Sequence, residues 1–281
     1  MPRLPEHRFR ALEVREAAEL PPIIEMLCGQ LVFGRTIYRG QSKSFWPLQS
    51  TWERRYCYVQ PAGIMRPYRL QPEYSTRPQL LQALLNLFRT QVGSVVSDAH
   101  ALTNRELLAL GRLHGLITPL LDWTHDPWIA AHFAVRGLSS EERDSAAIWA
   151  LRAPASVLPY AAMWNSESFP RIDWAPHNPS TRQRLQQAVF TELHDQIFGD
   201  LGSYLDNRLA VQRGKHPALI RIEIHAAAFA GIRRMLEHRG INDDALGLTE
   251  TTEPNWLSDI AVRCNEALPV GRASCATLAS A

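Results

Sequence analysis

Residues 120–127 read LLDWTHDP, and WIAAHFAV follows to residue 135. Two leucines are followed by an acid, a tryptophan, a threonine, a histidine, a second acid and a proline. The pattern changes at Asp126-Pro127. Aspartate is a strong N-cap, and proline at the first helical position sacrifices no hydrogen bond, because the N–H it lacks has no partner there. Ile129, Ala130, Phe133, Ala134 and Gly137 then recur at helical spacing, which predicts a helix with one buried stripe. Asp122, Trp123 and Thr124 lie just before that start, against apolar surroundings. Such residues either cap the helix or line a site.

Outward from this stretch, the pattern alternates between helical and extended segments. EVREAAELPPIIEMLCG, 13–29, predicts a helix broken or restarted at Pro21-Pro22 and closed by Gly29. Ile37-Tyr38 predicts a short strand running into a turn at Arg39-Gly40. Residues 46–74 are rich in aromatics, arginine and proline; they are too apolar for disorder and are expected to pack irregularly on the domain. RPQLLQALLNLFRTQVGSVV, 77–96, places Leu80, Leu81, Leu84, Leu87 and Phe88 at helical spacing. NRELLALGRLHG, 104–115, predicts a second, shorter helix.

SAAIWAL, 145–151, has the profile of a buried strand, and 160–180 reads as loop. TRQRLQQAVFTELHDQIF, 181–198, predicts a helix capped by Thr181. NRLAVQRG, 207–214, predicts a strand or edge, and PALIRIEIH alternates from Leu219 as a half-buried strand. AAFAGIRRMLEHRGI, 227–241, predicts a helix ending at Gly240. Residues 267–281, small and poorly packing, predict a frayed tail. No repeat and no linker interrupts the order, so the expectation is one mixed α+β domain, with a central sheet and helices around it.

Composition narrows the function classes. The 281 residues are 46% apolar and 21% charged, ordinary for a globular chain that buries a sizeable core. A net charge of +2 does not by itself argue for nucleic acid. The 30 basic residues comprise 28 arginines and two lysines, Lys43 and Lys215, a skew that lowers the weight of any lone arginine. Cys28, Cys57, Cys264 and Cys275 lack CxxC or C…H spacing, which fits a reducing compartment and no zinc ribbon. The N-terminus MPRLPEHRFRALEVREAAEL is charged throughout, unlike a signal peptide, and no apolar run approaches membrane-span length. A cytoplasmic protein without membrane partners is the expectation. No GxGxxG, P-loop, HExxH or GxSxG pattern occurs.

Three ordered stretches resemble the FRG domain, a family named for a Phe-Arg-Gly motif. YRGQSKSFWPLQSTWER, 38–54, matches its (F/Y)RGQ…W.L.PS pattern through Tyr38, Arg39, Gly40, Gln41, Trp46 and Leu48. LLALGRLHGLITPLLDWTHDPWIAAHFAV, 107–135, resembles H.G.PT.LLDWT..P..A..FA through His114, Gly115, Thr118, Leu120 to Thr124, Pro127, Ala130, Phe133 and Ala134, and NRLAVQRGKH supplies Arg208, Gln212 and Gly214 of a third. His216 stands where the family usually has phenylalanine, and GLTETTEPNWLSDI replaces its common closing Phe-Pro-Asp-Leu. The resemblance implies a domain over 20–245, an N-terminal extension over 1–19, and a C-terminal helix with flexible tail over 246–281.

The order of these motifs is in turn similar to that of ADP-ribosyltransferases, which implies a related fold and NAD as a substrate rather than a resident cofactor. On that comparison Arg39 anchors phosphates and Thr124 takes the Ser/Thr place. No acid falls at the late-strand position, near Arg208 and Gln212. The activity so implied is ADP-ribosyl or nucleotidyl transfer or NAD breakdown on a nucleotide-type ligand, compatible with bacterial defence or toxicity. The alternative is a catalytically silent ligand-sensing or interaction module.

Read as chemistry, the expected catalytic set is Arg39, Asp122, Thr124 and Gln212. The expected ligand-binding set is Tyr38, Arg39, Gly40, Gln41, Trp123 and His114. A guanidinium fork suits phosphate, yet Arg39 could equally pair with Asp122 to fix the fold. Gly40 would let a ligand approach the backbone, and Trp123 either stacks on a ring or fills the core. His114 is either a donor to the Asp122 loop or a general base. Gln212 either offers its amide to a ligand or satisfies backbone. His125 and His132 are seven apart, too weak a spacing to predict a metal without a third ligand. Arg54, Arg55, Tyr56, Tyr58, Arg66, Tyr68 and Arg69 interleave bases with aromatics, a secondary pointer to nucleic acid.

Overall fold

A computed structural model describes residues 10–29, 34–59, 65–67, 77–95, 100–154, 171–174, 180–192, 201–202, 219–249 and 255–268. The chain opens with strand β1 (Arg10–Val14) and a 3-10 turn (Ala17–Glu19), then helix α1 (Leu20–Gly29). Strand β2 (Gly34–Gln41), helix α2 (Thr51–Tyr56) and the short strands β3 (Cys57–Val59) and β4 (Met65–Pro67) follow. Helices α3 (Arg77–Gly93) and α4 (Asn104–Leu113) precede strand β5 (Leu120–Thr124), helix α5 (Pro127–Val135) and strand β6 (Ala146–Pro154). The remainder is β7 (Arg171–Trp174), α6 (Thr181–Leu185), β8 (Ala188–Glu192), β9 (Leu219–Ile224), α7 (Ala226–His238) and α8 (Asn255–Ala267).

Seven strands form one mixed sheet in the order β1-β9-β6-β2-β5-β8-β7, while β3 and β4 make a separate hairpin. β1 runs parallel to β9, and the other neighbours are antiparallel. The α+β architecture with helices around a central sheet is therefore observed. Residues 10–14 are an edge strand of that sheet rather than part of an extension or a helix. Alternating Leu12 and Val14 supply its inward face, and the helix starts only at Leu20, with Pro21 in its first turn.

The sheet is covered on both sides. Val14, Tyr38, Ile148, Ile222 and Ile224 pack under α1, α5 and α7 in one cluster. Leu120 and Phe190, from β5 and β8, pack under α3, α4 and α8 in a second. The alternating residues Ile37, Leu121, Trp123, Trp149, Leu151 and Val189 form a third, with Leu48 and Leu201. Because successive strand side chains point to opposite faces, the first two clusters share a face and the third lies behind.

The element around α5 follows the sequence closely. Asp126 accepts from the N–H groups of Trp128 (2.7 Å) and Ile129 (3.4 Å), with Pro127 at the first position. Gly137 (φ 69°) ends the run in the left-handed region. Gly40 is where α5 meets the sheet: a Cβ there would stand 2.0 Å from the Ala130 carbonyl oxygen. Helix backbone, rather than a ligand, fills that space.

Two expectations change between residues 180 and 198. The cap is Ser180, in a reciprocal box with Gln183, and the helix lasts only to Leu185. Gln187 adopts φ 46°, and Ala188–Glu192 is strand β8, paired with β5 from Ala188↔Thr124 to Glu192↔Leu120. The β-branched and aromatic run Val189-Phe190-Thr191 suits a pleated surface better than a helix interior. The expected strand at 207–214 lies outside the described residues; of the tail expected at 267–281, Ala267 ends α8 and Leu268 is buried, and the rest lies outside them. Among the described residues no helix is long and apolar enough to cross a membrane.

Candidate functional site

β2 and β5 share one register pair, Tyr38↔Thr124, although β2 pairs with β6 along its whole length. Beyond Tyr38 the two strands separate. Into the gap Arg39 sends its guanidinium, whose Nη1 donates to the Asp122 carbonyl at 2.7 Å and stands 3.6 Å from Asp122 Oδ2. The separation opens a cleft of about 410 Å³ between the helix groups of the first two clusters. α4 contributes Arg112, α5 contributes Phe133, and α6 with β8 contributes Arg182, Gln183 and Phe190.

Asp122 is the anionic centre. Arg112 grips it with a fork: Nε lies 3.1 and 3.2 Å from Oδ1 and Oδ2, and Nη2 lies 2.6 Å from Oδ2. Burial alone would raise the Asp122 carboxyl, but Arg112 and then Arg39 outweigh it and hold the group below the usual range. Asp122 in return raises Arg112. Arg39 is in the opposite position. Burial, reinforced by repulsion from Arg112 and Arg54, lowers it to about 10 despite Asp122. It remains a cation at neutral pH, and its buried Nε has no hydrogen-bond partner. Arg54, on α2, is lowered by desolvation and then by Arg112.

The charges around the cleft do not balance. Arg39, Arg54, Arg112 and Arg182 line it, and Asp122 is the one carboxylate among its described lining residues. Arg182, like Arg39, has a buried Nε without a partner. The site holds an excess of forked cations, two with unused donors, in a concave surface that also carries Tyr38, Trp46, Phe133 and Phe190. Forked cations in excess over carboxylate give the cleft a positive field, whose charge complement is an anion with several oxygens. No group of three metal-ligating side chains occurs among the described residues. His132 instead meets Asp243 at 2.8 Å, beside the Arg136 fork.

Tyr38, Arg39, Gly40, Gln41, Asp122, Trp123 and Thr124 thus meet at one cleft. Several have structural duties. Gln41 accepts from the Trp149 indole and donates to the Pro47 carbonyl at 3.3 Å. Trp123 is 3% exposed and donates to Thr191 Oγ1 at 2.9 Å, so its ring face belongs to the core. Thr124 Oγ1 accepts from the Asp126 N–H at 3.1 Å. His114 is buried at the C-cap of α4 and is not among the cleft-lining residues. Gln212 lies outside the described residues.

Arg112 and Arg182 are cleft arginines that the sequence did not single out, and Arg54 stood out only within the run that interleaves bases with aromatics. Arg112 stands in LGRLHG, two residues before His114, and Arg54 closes the first motif; both signals were diluted by the arginine-rich composition. Arg182 belongs to a segment read as helix, which hid its place beside β8.

Fold and site together define a mixed α+β domain with a cationic cleft where its sheet divides. Residues 34–143 match the family model of the FRG domain, from β2 to the segment after α5, with Arg39, Arg54, Arg112 and Asp122 inside the match. No curated protein and no solved structure matches the chain.

Proposed function

We propose that the cleft binds a phosphate-bearing, nucleotide-type ligand. The observation that carries this is the part-buried Arg39, a cation at neutral pH whose buried Nε has no partner, beside three further arginines and one carboxylate. A buried cation without full compensation costs stability, and an anion placed against it offsets that cost. Guanidinium forks meet phosphate oxygens two at a time, which adds geometric selectivity. The cleft volume of about 410 Å³ falls within the range of small-molecule sites.

NAD is the ligand to try first on the motif-order likeness, with ADP-ribosyl or nucleotidyl transfer or NAD hydrolysis as the chemistry. A second reading, binding without turnover, is favoured by how Asp122 is held. Both its oxygens face Arg112, and the Thr124 hydroxyl already accepts a backbone N–H, so neither is set up as a base.

Calorimetry of the whole chain with NAD, ADP and pyrophosphate tests the binding. Arg54→Ala, an exposed position on α2, should weaken each by about fivefold, the scale of a partly solvated charge-assisted hydrogen bond. If none of the three binds at low ionic strength, the proposal fails. Chromatographic detection of nicotinamide released from NAD, lost in Arg39→Ala, would favour turnover over silent binding.

A further inference from the structure

The loop between β2 and α2 exposes two large aromatics, Phe45 at 55% and Trp46 at 42%. Exposed aromatics often sit on mobile segments, where they cost little. Here the surrounding loop is pinned. The Ser44 N–H donates to the Ser145 carbonyl at 2.7 Å, and Ser44 Oγ donates to Glu223 at 3.2 Å. Lys43 Nζ meets Glu142 at 2.9 Å and Asp144 at 3.1 Å. Gln41 holds the Pro47 carbonyl, and the Leu48 carbonyl accepts from the Leu201 N–H at 2.9 Å. The backbone carrying Trp46 is therefore fixed on both sides, while Trp46, a large exposed aromatic, is one of the residues that line the arginine cleft.

Resting on the binding reading above, we infer that Trp46 is the stacking platform for the ring of the ligand, so that the site selects ring-bearing phosphates over inorganic ones. The arginines supply the charge, and a flat π-face at the cleft supplies the contact that phosphate alone does not use. Stacking on an indole is tolerant of which base is present. Presenting the ring from an anchored loop lowers the ordering cost at binding. The inference commits to a mononucleotide, because a cleft of about 410 Å³ is concave and local rather than an extended groove.

Isothermal titration of the full chain with ADP and with inorganic pyrophosphate, at equal ionic strength, tests it. Wild type should bind ADP at least about tenfold more tightly than pyrophosphate, the scale of one base stack. Trp46→Ala should bring ADP to the pyrophosphate value and leave pyrophosphate within about twofold; Trp46→Phe should keep most of the preference. ADP should also quench tryptophan fluorescence in wild type more than in Trp46→Phe, a readout that stands if the alanine variant does not fold.

Equal affinities in wild type, or an equal loss of both ligands in Trp46→Ala with its fold intact, overturn the stacking role while the anion site stands. Binding of a single-stranded oligonucleotide without binding of ADP also overturns it. If neither ADP nor pyrophosphate binds wild type, the anion site itself fails and the stacking role falls with it.

Discussion

Arg112 and Asp122 make the closest ionic contact in the cleft, and its exposure sets its worth. Removing one member of a fully buried pair costs about 3–5 kcal/mol. The Asp122 side chain is 38% exposed, so solvent takes up part of the uncompensated charge. Arg112→Ala should therefore destabilise the protein by about 1–2 kcal/mol in urea titrations. A change below about 0.3 kcal/mol would show the pair to be solvated in solution. The pH dependence follows from the direction of the Asp122 shift. Its folded value lies below the ordinary 3.8, so its stabilisation is present above that pH and is lost as pH falls through the folded value. Asp122→Asn should be less stable than wild type at pH 7, and the difference should shrink as pH drops below about 3.8. A gap constant from pH 7 to 3 would contradict the pairing. The Asp122 meeting with Arg39 was legible from the motifs. The stronger partner, Arg112, was not, because sequence spacing says nothing about which arginine crosses from α4 to β5.

At the scale of elements, β2 and α5 are joined through Gly40. Gly40→Ala would place a methyl 2.0 Å from the Ala130 oxygen and 2.5 Å from the Ala134 nitrogen, both backbone atoms of a packed helix. Backbone cannot yield by changing rotamer, so the cost should exceed ordinary overpacking, about 3 kcal/mol or more. Thermal melting would check this; a melting temperature within about 2 °C of wild type would mean that α5 shifts freely. Local chemistry made α5 legible beforehand, since Asp126, Pro127 and Gly137 each do what their residue type does best. Residues 181–192 failed for the converse reason. Their glutamines and leucine satisfy a helical pattern, but the place of Val189-Phe190-Thr191 was decided by β5 and β7, which no local window contains. β1 was misread likewise: its partner β9 lies some two hundred residues along the chain.

Across the whole molecule, the family match and the folding unit differ. The match ends at residue 143, yet β2, which carries Arg39, pairs along all eight of its residues with β6, which begins at Ala146. β5, which carries Asp122, pairs along its whole length with β8. The second core cluster is completed by Leu257, Ile260, Ala261, Cys264 and Leu268 of α8 and its end. Asn265 of that helix accepts from the Ile117 N–H at 2.9 Å and donates to the Gly115 carbonyl at 3.0 Å, fixing the turn that leads into β5. Excised residues 34–143 would expose long edges of β2 and β5 and lose most of the first and third core clusters and part of the second, with a burial deficit far beyond the roughly 5–15 kcal/mol by which a domain is stable. That fragment should show no cooperative denaturant transition and no near-ultraviolet dichroism. Residues 10–268, which retain β1, β6, β8, β9 and α8, should unfold in a single step. A cooperative transition from the short fragment would mean that the cleft is built on a self-sufficient core, and the long-range strand pairing argued for Arg39 and Asp122 would then be dispensable to their arrangement.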